Sequence, residues 1–219
     1  TEATHGGPFT GAGYYGAWIQ EEFWRSVINT GIVCVCVVTI SLTIGTLGAY
    51  ALSRSGYNYV FWLLLVALIF RAMPPITLVS GYLPTFFQWN MWGYLPTAII
   101  VLVAINQPFT LWMLNSFFQK IPKDLDESAR VDGCTQFQAF RFVIMPVMWP
   151  GVITTGLFSF LLAYNDFAVT TMILAEQNRT MVPSIAAFLG TTQTEGNVMF
   201  AVASVVSATV PLFILVMFF

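Results

Sequence analysis

Charge is what this chain of 219 residues lacks: only 8% of its side chains are Asp, Glu, Lys or Arg. A soluble domain carries about 25%. So few charges cannot cover a water-facing surface, and the 57% hydrophobic content points to lipid in its place. The class is integral membrane protein. A net charge of −2 says little about partners, and no basic run suggests nucleic acid. Cysteine is scarce too, and three thiols make no disulfide framework. Cys34 and Cys36 stand two apart in an apolar run, on different faces of a helix, and Cys134 lies in a charged stretch; all three read as small fillers. One histidine, His5, has no neighbouring ligands, which argues against a metal site. No G-x-x-x-x-G-K-[ST] loop occurs, so the chain has no phosphate cradle of its own. An initiator Met and a signal-peptide pattern are also missing, and the sequence stops inside an apolar run at Phe219. These features predict a fragment with further chain at both ends.

What is present is long apolar sequence. A membrane-crossing helix needs roughly 20 mostly apolar residues. Five predicted spans cover about 26–52, 59–80, 97–118, 149–172 and 197–219, behind an external segment 1–25. Gly56 and Asn58 mark the first turn. Arg71 and "MPP" (Met73–Pro75) interrupt the second span. The segment Gly81–Pro96, with Pro84, Gly93 and Pro96 as breakers, is predicted to turn the chain back, and Tyr82, Trp89, Trp92 and Tyr94 suit the membrane–water interface. Lys and Arg favour cytoplasmic loops. Arg54, Lys120, Lys123, Arg130 and Arg141 lie on one side, against Arg25 and Arg179 on the other. That places the loop 119–148 in the cytoplasm and Thr1 outside.

The loop holds the stretch "DLDESARVDGCTQFQAFRFVIMPVMWPG" (Asp124–Gly151), a charged island in apolar surroundings. Pro122 suits a helix start. Asp124, Asp126 and Glu127 favour the positive end of the helix dipole. Gly133 reads as a helix stop. Thr135 restarts a helix in capping-box form with Gln138, and Phe137, Phe140 and Ile144 repeat at helical spacing. Pro146 and Pro150 are expected to break that second helix. Leu125, Ala129, Phe137 and Phe140 give the loop an apolar side that needs covering, which suggests a docking surface.

These residues resemble the EAA loop of permease subunits of binding-protein-dependent ABC importers. The family pattern is E-A-A, three residues, G, nine residues, then I-x-L-P. Here Glu127-Ser128-Ala129, Gly133 and Val143-Ile144-Met145-Pro146 stand at that spacing, with small or volume-conserving departures at Ser128, Val143 and Met145. Cys134 replaces an Ala common in the sugar branch. "RAMPP" (Arg71–Pro75), "LNSFFQKIPKDLDESARVDG" (Leu114–Gly133) and "YNDF" (Tyr164–Phe167) also resemble the carbohydrate-uptake branch, similar to the maltose-type permeases.

The resemblance implies an all-α, polytopic helix bundle of the ABC-importer permease type, with the first of six spans missing before Thr1. It implies a permease of the bacterial inner membrane and not an enzyme, moving a sugar or polyol by alternating access. The implied partners are a dimer of ATP-binding subunits that carries ATP and Mg, a second permease and an extracytoplasmic solute-binding protein. By motif position, Glu127 would pair with a basic residue of the ATPase, Gly133 would allow close approach, and Ala129 and Phe140 would pack into its cleft. Ser128, Asp132, Phe137 and Pro146 complete the implied coupling set.

Polar residues inside the membrane are costly and point to function. Arg71, Asn106, Tyr164, Asn165 and Asp166 are candidates to line a solute path, with Gln107 beside Asn106 ahead of Pro108; equally, Arg71 and Asp166 could brace the bundle. Small residues in "GTLGAYALS" (Gly45–Ser53) and "TTGLFS" (Thr154–Ser159) suit close helix packing. The alternatives are an ABC importer for another small solute and an ion-coupled secondary carrier with Asp166 and Arg71 as a charge relay.

Overall fold

A computed structural model of the chain describes residues 14–20, 22–55, 57, 59–190 and 195–218, with side chains at all of these but 20, 190, 195–197 and 211–218. His5, most of the external segment 1–25, and the turn residues Gly56 and Asn58 lie outside the described residues.

Regular structure among the described residues is helical, apart from one isolated bridge between Gly93 and Leu174. The helices are α1 (Phe23–Arg54), α2 (Tyr59–Arg71), α3 (Pro75–Gln88), α4 (Leu95–Phe118), α5 (Asp124–Val131), α6 (Gln136–Ala139), α7 (Met145–Tyr164), α8 (Ala168–Ile173), α9 (Met181–Gly190) and α10 (Glu195–Phe218). Among the described residues three stretches are long and apolar enough to cross a membrane: Phe23–Arg54, Leu95–Phe118 and Gln136–Tyr164. A bent pair, α2 with α3, passes the same test as one broken span.

Several predicted boundaries move. The second span breaks after Arg71, bends by 83°, and resumes at Pro75 to run on to Gln88. Proline is at home in a first turn, because its missing N–H would have no partner there. Pro84 therefore sits inside α3, and the turn-back narrows to the residues around Asn90 and Gly93, whose φ angles are +52° and +91°. The fourth span starts earlier and stops sooner than 149–172. One helical stretch runs from Gln136 through a π-helical turn at Phe140–Ile144 and on to Tyr164. Pro146 and Pro150 do not break it, because each removes only one backbone bond and the wider turn just upstream absorbs the mismatch. The ten-residue helix α9 was not anticipated at all.

The chain divides into two compact units. One comprises residues 1–34, 80–98 and 164–219. Within it Gly93 donates its N–H to Ile173 O (2.8 Å), Trp92 Nε1 donates to Met172 O (3.0 Å) and Asn178 Nδ2 donates to Gly93 O (2.7 Å). A side chain at Gly93 would meet Ala175 Cβ at 3.1 Å as well as a left-handed φ. Ser26 and Ser184 share a hydrogen bond of 2.7 Å that ties α1 to α9.

The other unit comprises residues 35–79 and 99–163. Its core gathers Ala49, Tyr50, Leu114, Phe118, Ile121, Phe140, Ile144, Met148 and Val152. The small residues pack as their spacing suggests. A Cβ at Gly45 would fall 2.8 Å from Thr110 Cγ2, one at Gly48 3.0 Å from Leu111 Cδ2, and one at Gly156 3.0 Å from Leu42 Cδ1. Gly45→Val should therefore push α1 off α4 and cost about 1–3 kcal/mol. Thermal unfolding in detergent checks this; an unchanged midpoint contradicts the close approach.

Candidate functional site

The loop between α4 and α7 is two short helices folded around a glycine. Asp124, Asp126 and Glu127 occupy the first turn of α5, where acidic groups meet the positive end of the helix dipole. Pro122 stands just ahead of the N-cap, Lys123. At the other end Gly133 N–H donates to Arg130 O (3.1 Å) and Cys134 N–H to Ala129 O (3.0 Å). That pair of bonds is a Schellman stop, and it needs the left-handed residue that Gly133 supplies at φ +90°. The capping box forms as the sequence suggests: Gln138 N–H donates to Thr135 Oγ1 (3.3 Å), and Thr135 N–H donates to Gln138 Oε1 (2.8 Å).

Burial sorts the motif residues into two groups. Glu127, Ser128, Asp132, Gly133, Phe137 and Pro146 are exposed. Ala129 and Phe140 are not: both are buried inside this chain, at 5% and 8% exposure. The Phe140 ring lies 4.8 Å from that of Tyr50, centroid to centroid, so it is core and cannot enter a partner's cleft as expected. Phe137 and Phe140 are three residues apart with ring centres 6.3 Å from each other, yet Phe137 stays 62% exposed at the margin of the core that Phe140 joins. An apolar side chain missing from the predicted surface, Val131, is 88% exposed beside Gly133.

The loop is fastened to α1 by contacts that the sequence does not suggest. Tyr50 Oη donates to Asp126 Oδ1 (2.5 Å), and Arg54 Nε lies 2.8 Å from Asp126 Oδ2. Arg54 Nη1 also donates to Ile121 O (3.1 Å) and, more weakly, to Phe118 O (3.4 Å). The arginine that ends this 32-residue apolar helix was the available signal.

The five path candidates fall in different units: Arg71 and Asn106 in one, Tyr164, Asn165 and Asp166 in the other. Arg71 ends α2, with its guanidinium carbon 5.0 Å from the centre of the Phe109 ring. Among the described residues it makes no ion pair, and its Nη1 is buried without a hydrogen-bond partner. Asn106 is 4% exposed. Gln107, the other path candidate beside Pro108, lies in the same unit, and Ser41, Thr110 and Ser159 join it there unpredicted. Thr110 Oγ1 shares a 3.2 Å hydrogen bond with Ser159 Oγ, and Gln107 Nε2 donates to Ser41 O (3.4 Å). Gln107 Oε1 and Ser41 Oγ are buried without partners.

In the other unit Tyr164 Oη donates to Ala208 O, Asn165 is exposed, and Asp166 Oδ1 accepts from Thr170 N–H (2.9 Å). Asp166 thus serves the start of α8, as a helix-capping carboxylate does. Asp166→Ala should cost about 0.5–2 kcal/mol, whereas Asp166→Asn keeps an acceptor and should stay near wild type. If folded Asp166→Asn nevertheless changes uptake, its charge acts on solute as well as on the helix.

The sequence matches, over residues 41–219, the family described as "Binding-protein-dependent transport system inner membrane component". The chain belongs to that family. This permease is 33% identical to the trehalose/maltose transport system permease protein MalG of Thermococcus litoralis, over 87% of this chain and 69% of that protein. It is 32% identical to the diacetylchitobiose uptake system permease protein DasC of Streptomyces coelicolor, over 74% of this chain and 59% of that one. It is 28% identical to the trehalose transport system permease protein SugB of Mycobacterium tuberculosis, over 94% and 76%. Two solved transporters share the fold. One is a bacterial ABC transporter that imports the acidic polysaccharide alginate (TM-score 0.76, 19% identity, 92% of this chain and 75% of that one). The other is the MetNI methionine ABC transporter (TM-score 0.65, 23% identity, 88% of each chain). The permease is thus an all-α, multi-pass inner-membrane component, as its composition and motif imply.

Proposed function

We propose that this permease is the membrane subunit of an ATP-driven importer that moves a sugar or polyol inward by alternating access. ATP hydrolysis belongs to a separate dimer of ATP-binding subunits, with ATP and Mg bound there. A second permease and an extracytoplasmic solute-binding protein complete the complex. The loop 119–148 lies on the cytoplasmic side and receives the ATPase.

The observation that carries this reading is the loop's shape. Two helices held at Gly133 present Glu127, Val131 and Phe137 outward while Ala129 and Phe140 anchor them from within. A carrier driven by an ion gradient has no use for such a surface. Asp166, the carboxylate of the proposed charge relay, is also already engaged at Thr170. The sugar class draws support from relatives named for trehalose, maltose and diacetylchitobiose. Buried acceptors at Gln107 and Ser41, beside the Thr110–Ser159 pair, suit a polyhydroxyl solute that must trade water for protein hydrogen bonds.

The test is uptake by the complex reconstituted in proteoliposomes with its binding protein and a panel of sugars. ATP-dependent accumulation of one sugar supports the reading, and accumulation driven by a proton or sodium gradient without ATP overturns it. In the same assay Gln107→Ala should raise the uptake KM by up to about tenfold, the worth of one hydrogen bond. An unchanged KM removes Gln107 from the path.

A further inference from the structure

Resting on the reading that an ATPase docks on the loop 119–148, we propose that Arg54 is a positioning residue for coupling. Together with Tyr50 and Asp126, it carries movement of the docked loop into α1. The loop has two kinds of connection to the spans. Its second helix runs without a break from Gln136 to Tyr164, so any tilt there passes directly into α7. The helix α1 is different: it is remote from the loop in sequence, so only side chains can join them.

One hydrogen bond and one ion pair converge on a single carboxylate. Asp126 Oδ1 accepts from Tyr50 Oη at 2.5 Å, and Oδ2 faces Arg54 Nε at 2.8 Å. The same guanidinium reaches the chain leaving α4, donating from Nη1 to Ile121 O and Phe118 O. One side chain thus ties the end of α1, the end of α4 and the first turn of α5.

Position within the helix separates this role from docking. Asp126 and the exposed Glu127 are adjacent, and successive helical residues point about 100° apart. One carboxylate faces outward where a partner would dock, while its neighbour faces inward on Arg54. The Arg54 and Asp126 side chains are only 12% and 14% exposed, so water cannot readily replace either partner. Breaking a pair shielded in this way leaves an uncompensated charge, whereas an exposed pair contributes little. The other ion pairs among the described residues, Glu22–Arg25 and Glu176–Arg179, are exposed pairs of near neighbours in sequence. Arg54–Asp126 alone among them joins distant elements.

The experiment uses the reconstituted complex with its ATPase, second permease and binding protein. It compares wild type with Arg54→Gln, Asp126→Asn, Arg54→Lys and Tyr50→Phe. Three quantities are read: complex recovered, ATP hydrolysed and sugar moved. In Arg54→Gln and Asp126→Asn the ATPase should stay bound and hydrolysing, while sugar moved per ATP falls more than tenfold. Arg54→Lys, which keeps the charge, should recover part of that ratio, and Tyr50→Phe should lose only a few-fold. A ratio equal to wild type in Arg54→Gln overturns the proposal. So does a fall in hydrolysis and uptake strictly in proportion to complex recovered, because that is a folding role alone. A wild-type permease that recruits no ATPase is a separate result: it overturns the docking reading itself.

Discussion

Glu127→Lys is expected to abolish solute uptake while the permease still inserts and folds. Glu127 is exposed on the first turn of α5, where its own contribution is the favourable helix-dipole interaction, about 0.3–1 kcal/mol. Reversing its charge should therefore leave the Schellman stop, the capping box and the Arg54–Asp126 pair intact. If the carboxylate meets a cation of the ATPase in a dry cleft, losing the pair costs about 2–5 kcal/mol. That corresponds to roughly 30- to 5,000-fold in affinity. Gly133→Asp should produce the same phenotype by another route, because φ +90° costs an L-residue about 1–2 kcal/mol and loosens the turn. Co-purification of the ATPase together with proteoliposome uptake checks both variants. Normal uptake with normal association would remove the loop from coupling.

The second large effect separates two phenylalanines that look alike in the sequence. Phe140→Ala should destabilise the permease by about 3–5 kcal/mol, because Phe140 fills a core with Tyr50, Phe118 and Ile144. Phe137→Ala should leave stability within about 0.5 kcal/mol, because its ring is 62% exposed, yet it should weaken ATPase association. Thermal unfolding of the permease and pull-down of the ATPase read the two properties separately. Equal losses of stability in both variants would contradict the division of the loop into an anchoring and a docking face.

That division marks where sequence reasoning stops. The helix–Gly–helix order of the loop was legible because each signal is local: an acidic first turn, Gly133 at a stop and Thr135 with Gln138 as a box. The membrane class was legible from composition, and α1 and α4 from uninterrupted apolar length. Pro146 and Pro150 misled because a proline's effect depends on whether the turn upstream can rearrange, which only the packed helix decides. Phe140 misled because the group that covers it, Tyr50 of α1, is ninety residues away in sequence. Arg54 and Asp126 were invisible as a pair because nothing in the sequence brings residues that far apart together. The solute path was only half legible. Charged residues in spans draw the eye, yet Asp166 is occupied with Thr170, while the unpartnered acceptors belong to the uncharged Gln107 and Ser41.

A photo-crosslinking residue placed at position 137 of the assembled complex tests the central claim most directly. The account predicts a cross-link from that position to the ATP-binding subunit, and none from Trp92, a less exposed aromatic residue on the turn between α3 and α4. Capture of the ATPase from position 92, or failure to capture it from position 137, would contradict the assignment of the loop 119–148 as the site where ATP-driven motion enters this permease.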